Sequence, residues 1–416
     1  MKSSRNWMAS FASGLLAIAG ANLVLSSPAV AQTANGQKVS KNVAVPLKAA
    51  QDALKAKRYS EASAKLREVE AIPGKTAYEQ YLVSELTAFI AYAQKNFPEA
   101  ARAYEASLAT GQVPQSEVPK RTIQLLKLYY QMKNYPKTLE LGDKAIKGGY
   151  ATDEVYTLMA QSYYLKGDYR GTQRFVEDYI KGQSKPKEEY LKFVMSACDK
   201  LHDTACMTRT LEKMIANYPK PEYWQGVLSS MLASSDFSDR NRLQLFRLAT
   251  EVDVLKRGED YTEMAQLAQE QGAYAEAERI LKRGFEKKVF PDQRTLDKNN
   301  RLLVAIQKGM AADKASLPKR AQDALASPNG DDDVAVGIAY LSYQQFPEAI
   351  KALQNGLTKP MTDTKPRTKA EVQLILGVAQ LEAGDKAGAL KTFREVKGDP
   401  QLERLANLWS LHARQV

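Results

Sequence analysis

The stretch Ala88-Phe89-Ile90-Ala91-Tyr92-Ala93-Gln94-Lys95-Asn96-Phe97-Pro98-Glu99-Ala100 decides how this 416-residue chain is read. A small and apolar run stops at Lys95-Asn96. A second helix then starts with Pro98 in its first turn, where the missing N–H costs nothing. The closing phrase is an aromatic residue, two further positions and a small residue. It returns as Tyr59-Ser60-Glu61-Ala62, Tyr135-Pro136-Lys137-Thr138, Tyr169-Arg170-Gly171-Thr172, Tyr274-Ala275-Glu276-Ala277 and Phe346-Pro347-Glu348-Ala349. The first intervals are 97−59 = 38, 135−97 = 38 and 169−135 = 34 residues. A period of about 34 residues is that of a helix–turn–helix solenoid. Between the markers, Val118 to Met132, Glu154 to Leu165, Tyr261 to Gln271 and Lys369 to Ala383 carry apolar residues at amphipathic-helix spacing. No alternating run argues for a sheet.

The ends carry different information. Lys2 and Arg5 precede a mostly apolar or small stretch from Met8 to Leu25, and Ala29-Val30-Ala31 reads as a cleavage site. An export signal over residues 1–31 is expected, with an uncleaved anchor as the competing reading. A polar leader over 32–45 follows, then a repeat array over 46–398 and a capping helix over 399–416, built from Gln401 to Arg414. The sequence carries 59 Lys and Arg against 48 Asp and Glu, a formal charge of +11. The excess is uneven: residues 119–152 hold seven basic residues against Glu140 and Asp143. A basic surface outside the cytoplasm would meet anionic lipid, acidic wall polymer or an acidic protein rather than nucleic acid.

The array resembles the tetratricopeptide repeat, whose paired helices carry small residues where they cross. Nine residues before each marker stand Ala50, Ala88, Ala160, Ala265, Gly337 and, counting from Lys386, Gly377, with Leu126 as an exception. The resemblance implies an all-α, right-handed superhelical solenoid of about ten repeats, with Ala88 facing Ala100 and Gly337 facing Ala349. Markers expected near Asp203 and Phe237 keep a 34-residue step (169+34 = 203, 203+34 = 237) but lack the small partner. The interval 346−274 = 72 leaves room for one diverged repeat around Gly309 to Ala324. A second resemblance is to the repeat component that accompanies TonB energy-transduction systems in Gram-negative bacteria. It rests on layout, on Tyr223-Trp224 and on the run Tyr274 to Val289.

Catalytic patterns are missing where they would first be sought. His202 and His412 are the only histidines, so no multi-histidine metal site is formed. Gly74-Lys75-Thr76 mimics the end of a phosphate loop, but Val69 stands where its first glycine belongs. Asp331-Asp332-Asp333 suits the positive start of a helix better than a cation site. Nothing resembles the catalytic glutamate context of a lytic transglycosylase, so no enzyme activity, cofactor or metal is expected. Cys198 and Cys206 are the only cysteines, eight apart, flanking a predicted hairpin turn. A disulfide suits an exported protein. Repeat phase argues against it, placing Cys206 inward and Cys198 on the groove side, and both readings stand.

In the resembled family, a residue five before the marker points into the groove. Here that gives Tyr92, Tyr130 and Tyr164, with Phe89, Lys127 and Gln161 at the neighbouring position and Lys120 adding positive potential. Such a ladder suits an extended or helical peptide of an envelope protein. The competing reading makes the tyrosines core. The lysine and asparagine pattern of a carboxylate clamp is missing: Leu47 with Gln51 and Glu85 with Phe89 occupy its places. The sequence therefore points to a non-catalytic periplasmic adaptor, with TonB-system components as partners. The alternative is a peptidoglycan- or anionic-surface binder using the basic helices at 119–152 and 293–330.

Overall fold

The computed structural model describes residues 38–234, 237–364 and 366–416. The expected export signal lies outside the described residues. Two compact units divide the chain, one up to Met207 and one from Thr208 to Val416. Among the described residues there are twenty helices and no strand.

The first unit runs α1 (Lys41–Lys55), α2 (Tyr59–Glu70), α3 (Ala77–Ala93), α4 (Phe97–Ala109), α5 (Val118–Gln131), α6 (Tyr135–Lys147), α7 (Asp153–Leu165), α8 (Tyr169–Ile180) and α9 (Glu188–Lys200). Helix α10 (Thr204–Asn217) carries the chain into the second unit. There follow α11 (Pro221–Leu232), α12 (Asp239–Glu251), α13 (Gly258–Glu270), α14 (Tyr274–Glu286), α15 (Gln293–Ala326), α16 (Gly330–Ser342), α17 (Phe346–Thr358), α18 (Lys369–Glu382), α19 (Lys386–Glu395) and α20 (Pro400–Ala413). Helix α1 begins five residues ahead of the expected array start at 46, inside what reads as a polar leader.

One turn makes nearly every hairpin. The residue ahead of the second helix donates its N–H to a carbonyl five residues back: Arg58 to Ala53, Asn96 to Ala91, Asn134 to Tyr129, Asp168 to Tyr163, Ala273 to Ala268 and Gln345 to Tyr340. The residue before it is left-handed, with φ of 58° at Lys57, 59° at Lys95, 57° at Lys133, 84° at Gly167, 76° at Gly272 and 60° at Gln344. This is a Schellman ending. It fixes the marker aromatic two positions after the left-handed residue, which is why the phrase is so regular. Asn96, Asn134, Asp168 and Asp385 then cap the second helix by accepting from the N–H three residues on.

The same turn corrects two register expectations. Asp203 donates to Cys198 O at 2.9 Å after His202 at φ 54°, so Thr204 rather than Asp203 takes the marker place. Near 237, Ser238 caps a helix that begins at Asp239.

No extra repeat stands between Tyr274 and Phe346. That interval holds the 34-residue α15, which continues through Pro318. Gly309 is a close-packing position rather than a helix end, since a Cβ there would lie 2.5 Å from Tyr274 Cε1.

The small-residue crossings hold with a shift. Ala50, Ala88, Ala100, Ala160 and Ala265 are fully buried. A Cβ on Gly337 would meet Leu353 Cγ at 2.7 Å, and one on Gly377 would meet Phe393 Cδ1 at 2.6 Å. Each partner lies one turn beyond the expected Ala349 or Ala389. Cα–Cβ bonds tilt toward a helix's own N-terminus. In an antiparallel pair that direction runs toward the C-terminus of the neighbour.

Helix α20 buries Leu402, Leu405, Leu408 and Trp409 against α18 and α19. It also reaches back across unit 2. Arg404 Nε donates to Glu212 Oε1 at 3.2 Å, Gln415 Nε2 donates to Ile215 O at 3.1 Å, and the His412 and Trp224 rings lie 6.3 Å apart. Unit 2 therefore closes on itself.

Candidate partner-binding face

Helices α3, α5 and α7 are the first helices of successive hairpins and carry Tyr92, Tyr130 and Tyr164 at matching positions. Each ring is half-buried and leans on its own marker aromatic. The centroids are 5.7 Å apart for Tyr92–Phe97, 6.3 Å for Tyr130–Tyr135 and 5.2 Å for Tyr164–Tyr169. The polar ends tie hairpins together. Tyr130 Oη donates to Gln161 Oε1 at 2.6 Å, joining α5 to α7, and Ser196 Oγ donates to Tyr164 Oη at 2.8 Å, joining α7 to α9. Burial raises the Tyr92 and Tyr130 phenols above their ordinary value. The rings thus serve packing while keeping an accessible edge. Phe89 is half-buried against the core of the first two hairpins.

The expected positive potential is offset by partners. Lys127 Nζ pairs with Glu154 at 2.7 Å, a second α5–α7 tie, and Lys120 lies 3.8 Å from Glu117. A carboxylate therefore stands at each ammonium that was expected to attract an acidic partner.

The Cys198 and Cys206 sulfurs are bonded, with Cα atoms 5.7 Å apart. The phase objection dissolves with the one-residue register shift. Cys198 takes the place held by Tyr129 and Tyr163 in other hairpins, and Cys206 stands in the first turn of α10. Its N–H donates to Asp203 Oδ1 at 2.9 Å.

Two polar clusters escaped the sequence reading. Arg121 Nε donates to Glu85 Oε1 at 3.0 Å, and Nη2 pairs with the other oxygen of that carboxylate. Ser107 Oγ donates to Glu85 at 2.7 Å, and the guanidinium lies 5.5 Å from the Tyr104 ring centroid. Burial, above all, pushes the Tyr104 phenol up to about 12. The second cluster gathers on Asp153. Tyr179 and Tyr190 both donate to its Oδ1 at 2.8 Å, and Lys187 pairs with its other oxygen. These hydrogen bonds and Lys187 hold the Asp153 carboxyl below its ordinary value, against the opposing effect of burial. The signal was present in the density of tyrosines at 156, 179 and 190, but spacing alone does not say that they converge.

Other motifs resolve as structure. Thr76 and Glu79 form a capping box for α3. Asp331 accepts from the N–H of Arg367 at 3.0 Å, Asp333 pairs with Lys359 at 2.6 Å, and Asp332 accepts from Ser327 at 2.6 Å. Tyr223 and Trp224 are core residues of α11.

No helix among the described residues is long and apolar enough to cross a membrane. No curated protein matches the sequence. Similar solved structures include Naa15/Naa10 bound to HypK-THB, at 15% identity and TM-score 0.33, covering 88% of this chain and 60% of that one. The APC/C hetero-tetramer Cut9–Hcn1 is similar at 14% identity and TM-score 0.20, covering 88% and 83%. The TPR domain of P58(IPK) is similar at 11% identity and TM-score 0.23, covering 90% and 99%. The chain thus spans 60% of the length of the first of these. Residues 335–403 match the model of the tetratricopeptide repeat, and they share their Schellman turn and small-residue crossing with the hairpins before them. The chain is similar to the tetratricopeptide-repeat family, whose model it matches over residues 335–403.

Proposed function

We propose that the chain is an exported, non-catalytic interaction scaffold of the Gram-negative envelope, serving a TonB-type transport complex. The carrying observation is the row Tyr92, Tyr130, Tyr164, one ring per hairpin, half-buried and braced from below. Such rings offer apolar area with little entropy left to lose, which suits a peptide segment laid along α3, α5 and α7. Export rests on the basic, apolar and Ala29-Val30-Ala31 pattern at the start of the sequence. The TonB-type assignment rests on the layout of the array.

In-cell crosslinking from a photoreactive residue at Tyr130, repeated at Tyr164, tests the face. The expected result is one discrete adduct with an envelope protein, identified by mass spectrometry. No adduct from a folded, fractionation-verified periplasmic protein overturns the groove, and an adduct lacking any TonB-system component overturns the finer assignment.

One observation favours a second reading. Helix α15 is exposed along most of its length and carries Arg294, Lys298, Arg301, Lys308, Lys314, Lys319 and Arg320 against three aspartates. A charge-driven contact of this helix with anionic polymer weakens as ionic strength rises, while the aromatic contact persists.

A further inference from the structure

The row Tyr92, Tyr130, Tyr164 has a pitch set by the helices that carry it. Each first helix is bonded directly to the next: Arg121 of α5 to Glu85 of α3, Tyr130 of α5 to Gln161 of α7, and Ser196 of α9 to Tyr164 of α7. Packed helices stand about 8–10 Å apart, so one ring recurs at about that interval. A peptide laid across the helices must present its own side chains at the same interval. A β-strand repeats a face every two residues, about 6.6 Å, and falls short. An α-helix repeats a face at about 5.4 Å for one turn or about 10.8 Å for two, and misses on either side. A polyproline II segment has three residues per turn at about 3.1 Å each, a repeat of about 9.3 Å that fits.

The hydrogen-bonding groups favour the same conformation. Tyr92 Oη makes no hydrogen bond among the described residues and reaches solvent. Gln161 spends its carbonyl on Tyr130 and leaves its Nε2 donors without an acceptor there. Tyr164 Oη accepts from Ser196 and keeps its own O–H. The face thus offers donors, while Gln161 Oε1 is taken by Tyr130 and Glu154 by Lys127. Proline brings a carbonyl and no N–H, and a polyproline II backbone makes no bonds within itself. An α-helix would bring carbonyls already satisfied, and a strand would bring N–H groups with nothing to receive them.

Charge complementarity points to an uncharged ligand. Arg121 pairs with Glu85, Lys127 with Glu154, and Lys192 with Glu188 at 3.0 Å, so these charges are balanced on the protein itself. Leu165, 39% exposed and next to Tyr164 in sequence, extends the apolar edge.

We propose that α3, α5 and α7 bind an uncharged, proline-rich segment in the polyproline II conformation, with every third residue against one ring. Three rings span two turns, so about seven residues suffice. Tyr92 Oη, Gln161 Nε2 and Tyr164 Oη donate to its carbonyls. This mode of binding holds only if the row is the partner-binding face proposed for unit 1.

Fluorescence anisotropy on the full chain tests it, with a capped, labelled nonamer of L-proline beside nonamers of D-proline and of alternating glycine and serine. The expected result is saturable binding of the L-proline peptide, with each control at least tenfold weaker and little change as ionic strength rises. Tyr92→Ala and Tyr130→Ala are each expected to weaken binding tenfold or more. Tyr92→Phe removes a free donor and is expected to weaken it about threefold to tenfold. Tyr130→Phe, whose hydroxyl was spent on Gln161, is expected to leave it unchanged. Circular dichroism checks the folds, and Tyr92, which makes no hydrogen bond, carries the test if Tyr130→Ala does not fold. No binding of the L-proline peptide at millimolar concentration overturns the proposal, as does equal binding of either control. Binding that survives both alanine variants places the peptide elsewhere and overturns it too. A crosslinked adduct at Tyr130 without binding of the L-proline peptide removes the proline ligand and leaves the face standing, whereas loss of both removes the face as well.

Discussion

Tyr130 Oη donates to Gln161 Oε1 at 2.6 Å, and this bond, with Lys127–Glu154 at 2.7 Å beside it, fastens the first helix of one hairpin to the first helix of the next. A residue of the candidate face is therefore also a structural staple. The two roles separate by substitution. Tyr130→Phe removes only the hydroxyl and is expected to cost about 1 kcal/mol in urea denaturation. If the ring makes the partner contact, capture of the partner is unchanged by Tyr130→Phe and lost by Tyr130→Ala.

The Glu85–Arg121 pair is a buried ion pair of unit 1, with the carboxylate 4% exposed. Breaking it leaves an uncompensated ion, so Arg121→Met is expected to destabilise by about 3–5 kcal/mol. Glu85→Leu with Arg121→Met removes both charges and is expected to recover most of that loss. A double-mutant cycle by chemical denaturation measures the coupling. Additive losses would mean that the pair does not act as a unit.

The disulfide closes a short loop across the α9–α10 turn. Chain-entropy reasoning assigns such a loop about 2–3 kcal/mol. Cys198→Ala with Cys206→Ala is expected to lower the denaturation midpoint accordingly, and dithiothreitol should shift the wild type but not the double variant.

Gly377 leaves no room for a methyl group, because its neighbour is the Phe393 ring, itself buried and stacked 6.3 Å from Trp409. Gly377→Ala is expected to cost about 1–3 kcal/mol through overpacking. Gly142→Ala meets the more flexible Met159 side chain and should cost less. Thermal melts of the two variants give the comparison, and equal losses would refute the packing argument.

Glu382 responds to pH. Burial first, then Glu251 and Glu276, pushes its carboxyl up to about 6, opposed by Arg279 and Arg247. A carboxyl raised in the folded state contributes stability that is fully present below its unfolded value and lost as pH rises through the folded one. Unit 2 is therefore expected to gain stability between pH 7 and pH 5, and Glu382→Gln to flatten the trend. Urea midpoints followed by Trp224 and Trp409 fluorescence read this out.

Most of the architecture was legible because one device, the Schellman turn, imposes a fixed phase on the marker aromatic. Where that device lacks its usual residues, legibility fell. Thr204 stands in the aromatic's place after the left-handed His202, so the hairpin was read one residue early. The 72-residue interval from Tyr274 to Phe346 left room for a diverged repeat around Gly309 to Ala324, and a glycine in a helical pattern is ambiguous between an ending and a close approach. Only the Tyr274 ring decides which. The tyrosine row was legible as a pattern, but its hydroxyl partners were not, since Gln161 and Ser196 lie about thirty residues away and carry no signal of their own. The charge cluster around Glu382 was hidden for a stronger reason. Arg279 and Glu382 come from helices about a hundred residues apart, and no local spacing brings them together.

The return of α20 to α10 and α11 has a consequence for how the chain reaches its fold. Arg404 meets Glu212 across 192 residues, and Gln415 meets Ile215 across 200. An open repeat array grows by nearest-neighbour steps and tolerates the loss of a terminal module. Unit 2 has given up that freedom. Its last helix closes on elements made about two hundred residues earlier, so a few of its contacts are far less local than those of an open array. A nascent unit 2 remains unlatched until α20 has been made, and adding or deleting one hairpin within it would move Arg404 off Glu212.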